Sequence, residues 1–315
     1  MNSKELKVLK ILHQEKNISQ RKIAERAGVS LGTVNNIMSF LIEKDYVRAD
    51  KLDYRNTQYR VTEKGLQAID KSLTKTGVIL AAGMGTRLQS ITRDMVPKGF
   101  LEVEGKGLVE RSIEKLLKNG IEKVIIVTGH LSHFYDSLAE KYKNVYTIWN
   151  ENYKDTGSMS SLAVAKDFIE NDFFLLESDL IYEERALKEL QNTELKDCVL
   201  MSGATDSGDE VFIEVRNSNI YKMSKDRHSL NSIYGELVGI NKISRDLYDR
   251  MLLEYTKNTN PQYHYEYAIE DAAKNYIVGY LKIEDLLWAE IDDENHLNRV
   301  KEKVVPSLRE KGEIL

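Results

Sequence analysis

The sequence predicts an α/β/α domain on a mixed, largely parallel sheet, preceded by a small helical module that ends in a β-ribbon. Three observations carry this expectation. The chain has 315 residues, beyond the size at which a single hydrophobic core stops growing. From residue 77 onward, apolar strand-like runs alternate with amphipathic helical stretches, the order that builds parallel sheets. Charge is also divided unevenly: residues 1–75 hold 15 Lys+Arg and 9 Asp+Glu, whereas the remainder holds 30 and 41. A basic head on an acidic body points to a nucleic-acid-facing piece joined to something else.

Composition bounds the class. Hydrophobic residues make up 42% and charged residues 30%, an ordinary globular balance. No apolar run approaches the roughly 20 residues needed to span a bilayer, and the opening MNSKELKVLK lacks a signal-peptide core. A cytoplasmic location and no membrane partner are therefore expected. Cys198 is the single cysteine, so no disulfide forms within the chain.

In the N-terminal part, residues 3–15 read as an amphipathic helix with Leu6, Leu9 and Leu12 on one face beside Val8 and Ile11. Ser19 precedes a second helix through Ala27, which Gly28 ends. Ser30 can cap a third helix with Val34, Ile37, Met38, Leu41 and Ile42 as its buried stripe. Residues 46–50 and 57–61 are strand-like and flank a polar turn, and a last helix starts near Thr62.

This order resembles a winged helix-turn-helix domain over residues 1–72. The segment SQRKIAERAGVSLGTVNNIMSFLIEKDYV carries the resemblance, with Ala24 in the first helix, Gly28 in the turn and small polar residues opening the next. The resemblance implies DNA as a partner: Ser30, Thr33, Asn35 and Asn36 would face the major groove, with Arg55 in the wing near phosphates. The alternative is that the module only mediates dimerisation or packs against the rest of the chain. Winged-helix modules often dimerise, so a homodimer stays in view.

Residues 72–76 (SLTKT) read as a polar linker to a domain at 76–315. Strands are expected at 77–81, 122–128, 145–149 and 173–178, and helices at 107–119, 132–142 and 159–170. From about 196 the strands CVLMSGA, EVFIEVR, NIYKMS and YGELVGINKIS look more antiparallel.

The chemistry sits where the strand GVILA runs into AGMGTRL. Ligands of open α/β sheets bind at the carboxyl ends of strands. Gly83 and Gly85 let the backbone approach a ligand without a β-carbon in the way, and successive N–H groups can then surround a polyphosphate. Arg87 adds a fixed cation, and Pro97-Lys98 brings a second. A P-loop is excluded, because its Gly-Lys-Ser/Thr end is missing, and Leu88 stands where a dinucleotide fingerprint needs a third glycine or alanine. The apolar run Leu175-Leu176 ends in Glu177-Ser178-Asp179, and Asp179 at a strand's carboxyl end is a metal ligand suited to Mg²⁺.

The set of strand, A-A-G-x-G-T-R and P-K resembles the nucleotidyltransferases that activate sugar phosphates and small phosphorylated alcohols, over residues 76 to about 300. The resemblance implies a Rossmann-like α/β/α fold. It implies that Leu80, Ala81, Ala82 and Gly83 contact the nucleotide, and that Gly85, Thr86, Arg87 and Lys98 hold its phosphates. The segment Trp288-Ala289-Glu290-Ile291-Asp292 resembles the family's late metal-binding segment, which makes Asp292 the second expected ligand. The mechanism implied is in-line attack of an anionic acceptor on the α-phosphorus with loss of pyrophosphate. Lys98, Arg87 and Asp179 would be the catalytic groups.

Within that family the sequence is most similar to cytidylyltransferases of phosphocholine and of 2-aminoethylphosphonate. The stretches MVPKGFLEVEGKGLVERSIEKL, NENYKDTGSMSSL, LLESDLIY, SGDEVFIEV and YGELVGINKI point to the phosphonate branch. This implies CTP as co-substrate. A base pocket of Gly129, Asn150, Thr156, Gly157 and Ser158 is expected, since Asn150 follows a strand and the TGS turn offers backbone groups. Acceptor candidates are Glu214, Tyr234, Glu236, Glu266, Trp288 and Glu290. A primary ammonium wants carboxylates, whereas a trimethylammonium wants an aromatic box. Acids without a dense tryptophan cluster tilt the expectation to the amine. Two alternatives remain: a phosphocholine enzyme, and a DNA-binding regulator whose second domain only senses a ligand.

Overall fold

The computed structural model describes residues 1–51 and 57–314, and it divides into two compact units, Met1–Leu73 and Thr74–Leu315. Arg55, expected near DNA phosphates, lies outside the described residues.

The first unit begins with α1 (Ser3–Gln14). Asn2 opens it with a capping box: its side chain accepts from the Glu5 N–H, and the Glu5 carboxylate accepts from the Asn2 N–H. Helix α2 (Gln20–Ala27) is capped by Ser19 and stops at Gly28, whose φ of 68° is left-handed. Ser30 caps α3 (Leu31–Glu43). Strands β1 (Val47–Lys51) and β2 (Thr57–Val61) pair antiparallel, and α4 (Glu63–Lys71) closes the unit. Its core joins Val8, Leu9 and Leu12 to Ile23, Val34, Met38, Leu41 and Val47. Ile42, expected in the stripe of α3, is instead 39% exposed, because it lies one helical step past Leu41.

The SLTKT stretch is not wholly linker. Thr74 and Thr76 are buried in the second unit. The Thr74 N–H donates to Gln191 Oε1 and its carbonyl accepts from Gln191 Nε2, both at 2.9 Å.

The second unit holds β3 (Thr76–Ala81), α5 (Gln89–Thr92), the small hairpin β4 (Glu102–Val103) and β5 (Lys106–Gly107), α6 (Leu108–Lys118), β6 (Lys123–Thr128), α7 (Ser132–Lys141) and β7 (Val145–Trp149). Then come α8 (Ser158–Val164), β8 (Phe173–Glu177), β9 (Leu180–Tyr182), α9 (Arg185–Asn192), β10 (Cys198–Ser202), β11 (Phe212–Arg216), β12 (Asn219–Ser224) and β13 (Gly235–Ile243). Helices α10 (Arg245–Lys257) and α11 (Tyr265–Ala273), strands β14 (Gly279–Ile283) and β15 (Trp288–Glu290), and helices α12 (Glu294–Arg299) and α13 (Val305–Glu310) complete it. Helix α8 ends at Val164, short of the expected 170.

The main sheet runs β12-β11-β13-β8-β3-β6-β7, with β10 joining β13 to β14. Pairs β8-β3, β3-β6 and β6-β7 are parallel, and β13 turns the sheet antiparallel against β8. Every residue of β3 is buried, as a central strand covered on both faces requires. Val78 and Leu80 point into one apolar layer with Ile125, Val127 and Phe173, while Ile79 and Ala81 point into the other with Val124, Ile126 and Phe174. The second unit is the expected α/β/α domain on a mixed sheet, and the first has the expected order of three helices, a β-ribbon and a last helix. No helix among the described residues is long and apolar enough to cross a membrane.

Candidate active site

The carboxyl ends of β3 and β8 lie side by side, with Leu80 opposite Glu177. The glycine loop leaves β3 and the Ser178-Asp179 turn leaves β8, so both open into one cleft of about 490 Å³. Gly85 has φ +61° and needs the freedom of glycine, and a β-carbon at Gly83 would meet open space. The late acids arrive through a second ladder. Strand β15 pairs antiparallel with β9, setting Glu290 against Leu180, and the Ile291 N–H donates to the Asp179 carbonyl at 3.1 Å.

Cations and carboxylates interleave in this cleft. The Lys98 ammonium sits between Asp179 and Asp292, bonded to both, with Glu290 at 3.6 Å. Burial alone would lower its pKa, but Asp179, Glu290 and Asp292 more than offset that and hold it above the usual lysine value. Burial likewise disfavours the Asp292 charge, yet Lys98 and Arg87 keep its carboxyl below the ordinary range. Arg87 lies at 2.9 Å from Asp292 and 2.7 Å from Asp209.

Oxygens of Glu177, Asp179 and Glu290 all lie within 4.8 Å of one another. Asp179 Oδ1 is buried with no hydrogen-bond partner. Burial, then Asp179, pushes the Glu177 carboxyl up to about 8, and burial lifts Glu266 to about 7. Burial and the neighbouring acids raise Glu290 well above its usual value. Crowded, half-satisfied hard oxygens of this kind fit a divalent cation. Asp292, expected as the second metal ligand, is not in this cluster; with Asp179 it converges on the Lys98 ammonium.

Of the expected nucleotide contacts, Leu80, Ala82, Gly83, Gly85, Thr86, Thr156, Gly157 and Ser158 line the cleft together with Arg87 and Lys98. Three expected contacts lie elsewhere. Ala81 points into the opposite apolar layer. Gly129 is packed against the Ala82 carbonyl and the Tyr153 ring, where a β-carbon would come within 2.6 Å of each. Asn150 is fully buried behind the wall, where it donates to Ser161 Oγ at 3.0 Å and accepts from the Asn152 N–H.

A smaller cavity of about 70 Å³ adjoins the cleft and shares Glu177 and Glu266 with it. Trp288 and Glu290 line it as expected of acceptor residues. Three of the six acceptor candidates, Glu214, Tyr234 and Glu236, do not line it. Glu214 is buried against Arg216 and the Asn231 N–H. Tyr234 is exposed and stacks edge-on with Tyr280 at 4.9 Å. Glu236 faces the loop after β10 and accepts from the Thr205 N–H at 2.9 Å.

Sequence reasoning did not single out Glu177 of the carboxylate cluster, Lys225 and Arg299 in the second cavity, or His264 in the cleft. Glu177 carried a signal, as the acid that ends β8 two residues before Asp179. His264 carried none. Its Nδ1 accepts from the Ser158 N–H at 3.3 Å, which places the ring proton on Nε2.

In the first unit, the Ser30 and Thr33 hydroxyls bond one another at 2.9 Å, and Ser30 also caps the Thr33 N–H. Asn35 and Asn36 are exposed on α3.

Two family models match the chain: nucleotidyl transferase over residues 76–209 and winged helix-turn-helix DNA-binding over residues 1–48. A choline-phosphate cytidylyltransferase of Streptococcus pneumoniae is 39% identical over 98 residues, which is 31% of this chain and 42% of that one. A 2-aminoethylphosphonate cytidylyltransferase of Lancefieldella rimae is 32% identical over 108 residues, 34% of this chain and 44% of that one. The chain thus spans less than half the length of these curated relatives. The structure of the inositol-1-phosphate CTP transferase from T. maritima superposes with a TM-score of 0.63 at 22% identity, covering 74% of this chain and 98% of that one, a likeness of fold.

Proposed function

We propose that this chain, which carries a nucleotidyl transferase domain behind a winged helix-turn-helix module, is a Mg²⁺-dependent cytidylyltransferase. It would join CTP to 2-aminoethylphosphonate and release pyrophosphate. The observation that supports this most is the common wall of the two cavities. Glu177 and Glu266 face both the phosphate-binding cleft and the smaller cavity, so an acceptor in the second would meet a nucleotide in the first.

The chemistry of the second cavity favours an amine. Glu177, Glu266 and Glu290 line it, and beside His296 its one aromatic side chain among the described residues is Trp288. A primary ammonium carries three N–H donors that such carboxylates can accept, whereas a trimethylammonium needs an aromatic cage. Lys225 and Arg299 in the same cavity offer counter-charge to the acceptor's anionic end.

In the reaction, a phosphonate oxygen attacks the α-phosphorus of CTP, the bond to the β-phosphate's bridging oxygen breaks, and pyrophosphate leaves with that electron pair. Lys98 stabilises charge at the attacked phosphate and Arg87 at the departing pyrophosphate. The acceptor is already anionic, so no strong general base is needed. Asp179, Glu177, Glu290 and Asp292 are the carboxylates that would hold a divalent ion, which would supply Lewis-acid charge to the reacting phosphate.

Pyrophosphate release tests the proposal. CTP with 2-aminoethylphosphonate should turn over faster than CTP with phosphocholine, and EDTA should abolish both. Faster turnover of phosphocholine would reverse the acceptor assignment, and no release with any acceptor would favour a ligand sensor.

The N-terminal module is read as DNA-binding through α3, presenting Asn35 and Asn36, with Ser30 and Thr33 engaged in the cap. Affinity of the full chain for duplex DNA should fall steeply with salt, and sedimentation should show a homodimer matching paired half-sites.

A further inference from the structure

One carboxylate near the cleft has no part in the chemistry above. Asp209 lies in the segment 203–211 between β10 and β11, and its two oxygens hold cations from different parts of the chain. Oδ2 accepts from Arg87 Nη1 at 2.7 Å, and Oδ1 accepts from Lys225 Nζ at 2.8 Å. The other arm of the Arg87 fork faces Asp292 at 2.9 Å. Both arms that would grip a phosphate are therefore taken by the protein's own carboxylates. A carboxylate bridging two cations presents paired anionic oxygens much as one edge of a phosphate does.

The segment is anchored at both ends, the far one through the Val211 carbonyl, which accepts from the Leu237 N–H at 2.9 Å. Its start is pinned: Arg299 donates to the Thr205 carbonyl at 2.6 Å, and the Thr205 N–H donates to Glu236 at 2.9 Å. Beyond that lies Gly208, with φ +98°, directly before Asp209. The Arg87 side chain is 54% exposed and that of Asp209 23%, a pair that solvent weakens. A triphosphate would bring several negative charges to Arg87, beside Asp209, and like charges at that range exclude one another.

We propose that Asp209 is a placeholder anion. Without nucleotide it occupies Arg87 and Lys225 and ties segment 203–211 to the glycine loop. The triphosphate displaces it and frees the segment. Thr205, Ser207, Asp209, Glu210 and Val211 all line the smaller cavity, so loading of nucleotide reshapes that cavity. This rests on the reading of Arg87 as a phosphate ligand.

The test uses the full chain and Asp209→Asn, which keeps the shape and removes the charge. Calorimetric titration with CTP and with inorganic pyrophosphate, without acceptor, should show binding tightened about two- to fivefold, the factor corresponding to release of a solvent-weakened ion pair. Unchanged or weaker binding overturns the proposal. Amide exchange of residues 206–210 should quicken in the wild type on adding CTP, and should already be fast in Asp209→Asn. Exchange that CTP leaves unchanged or slows in the wild type also overturns it. Arg87→Ala separates the two ideas. If it binds pyrophosphate as tightly as wild type, the phosphate role of Arg87 fails; if it binds more weakly while Asp209→Asn does not tighten, only the placeholder fails.

Discussion

Tyr265 donates its phenolic hydrogen to Glu177 Oε1 at 2.5 Å. That bond works against the burial and the neighbouring Asp179 and Glu266 charges that push the Glu177 carboxyl upward. Removing it should make Glu177 a poorer ligand as well as a looser side chain. Tyr265→Phe is expected to lower the unfolding free energy by about 1 kcal/mol and to weaken Mg²⁺ binding, with the pH midpoint of binding moved up. Isothermal titration with Mg²⁺ at several pH values measures this, and an unchanged midpoint would refute the link.

The raised carboxyls give the metal-free protein a definite pH dependence. Glu177 moves from 4.5 to about 8 and Glu266 from 4.5 to about 7 on folding. A folded pKa above the unfolded one means stability that is complete below the unfolded value and lost as pH rises through the folded one. In EDTA, stability should therefore fall between about pH 4.5 and pH 8. Divalent metal binds the deprotonated carboxylates, so the gain in Tm on adding Mg²⁺ should be larger at pH 8 than at pH 6. An equal gain at both would count against a metal on these acids.

Much of this site was legible in the sequence because its parts are local. The strand-to-glycine turn, Arg87, Lys98 and the acid ending β8 each announce themselves within a few residues. What could not be read depends on distant pairing. Ala81 and Leu80 are adjacent in sequence, and only the sheet's two faces separate the cleft residue from the core residue. Asn150 follows a strand as a base contact should, yet the packing of Ser161 turns it inward. Among the acids of the later half, Glu214 and Glu266 look alike in sequence. Arg216 claims the first, whereas the second stands at the wall between two cavities.

Gly157 shows how such distant packing becomes a prediction. A β-carbon there would lie 2.5 Å from the Tyr263 carbonyl oxygen, a backbone atom that cannot swing aside. Its N–H donates to the Pro261 carbonyl at 2.8 Å, so the turn and the segment leading to α11 are docked backbone to backbone. Gly157→Ala should cost about 1–3 kcal/mol of stability, as overpacking does. By spreading Ser158 from Glu266 it should raise KM for CTP and for acceptor together. An effect on CTP alone would mean that the two segments move independently.

Lys98 compensates a buried acidic centre, which makes its removal a stability experiment as well as a kinetic one. Lys98→Met leaves Asp179 and Asp292 facing each other without their shared cation. Breaking a buried ion pair from one side costs about 3–5 kcal/mol, and losing a charge aimed at the reacting phosphate should cut kcat by about 10²–10³. A divalent ion can restore the missing positive charge but not the lost phosphate contact. Mg²⁺ should therefore raise the Tm of the variant more than that of the wild type while leaving kcat low. Equal Tm shifts in the two proteins would show that metal and Lys98 answer to different carboxylates.

Glu266 offers the sharpest test of the acceptor. Its Oε2 is buried without a hydrogen-bond partner, and its carboxyl lines both the cleft and the smaller cavity. An ammonium would satisfy that oxygen by a charge-assisted bond, worth about 1.5–3 kcal/mol, or roughly ten- to a hundredfold in affinity. Glu266→Gln preserves size and retains one acceptor oxygen while losing the charge. KM for 2-aminoethylphosphonate should rise by about that factor, with KM for CTP changing little, because the nucleotide presents no cation to this wall. Ethylphosphonate, which has no amine, should be a poor substrate of the wild type and should lose nothing further in the variant. An equal loss for both acceptors would assign Glu266 to the architecture of the cleft, and the recognition of the amine would then fall to Glu290 and Trp288.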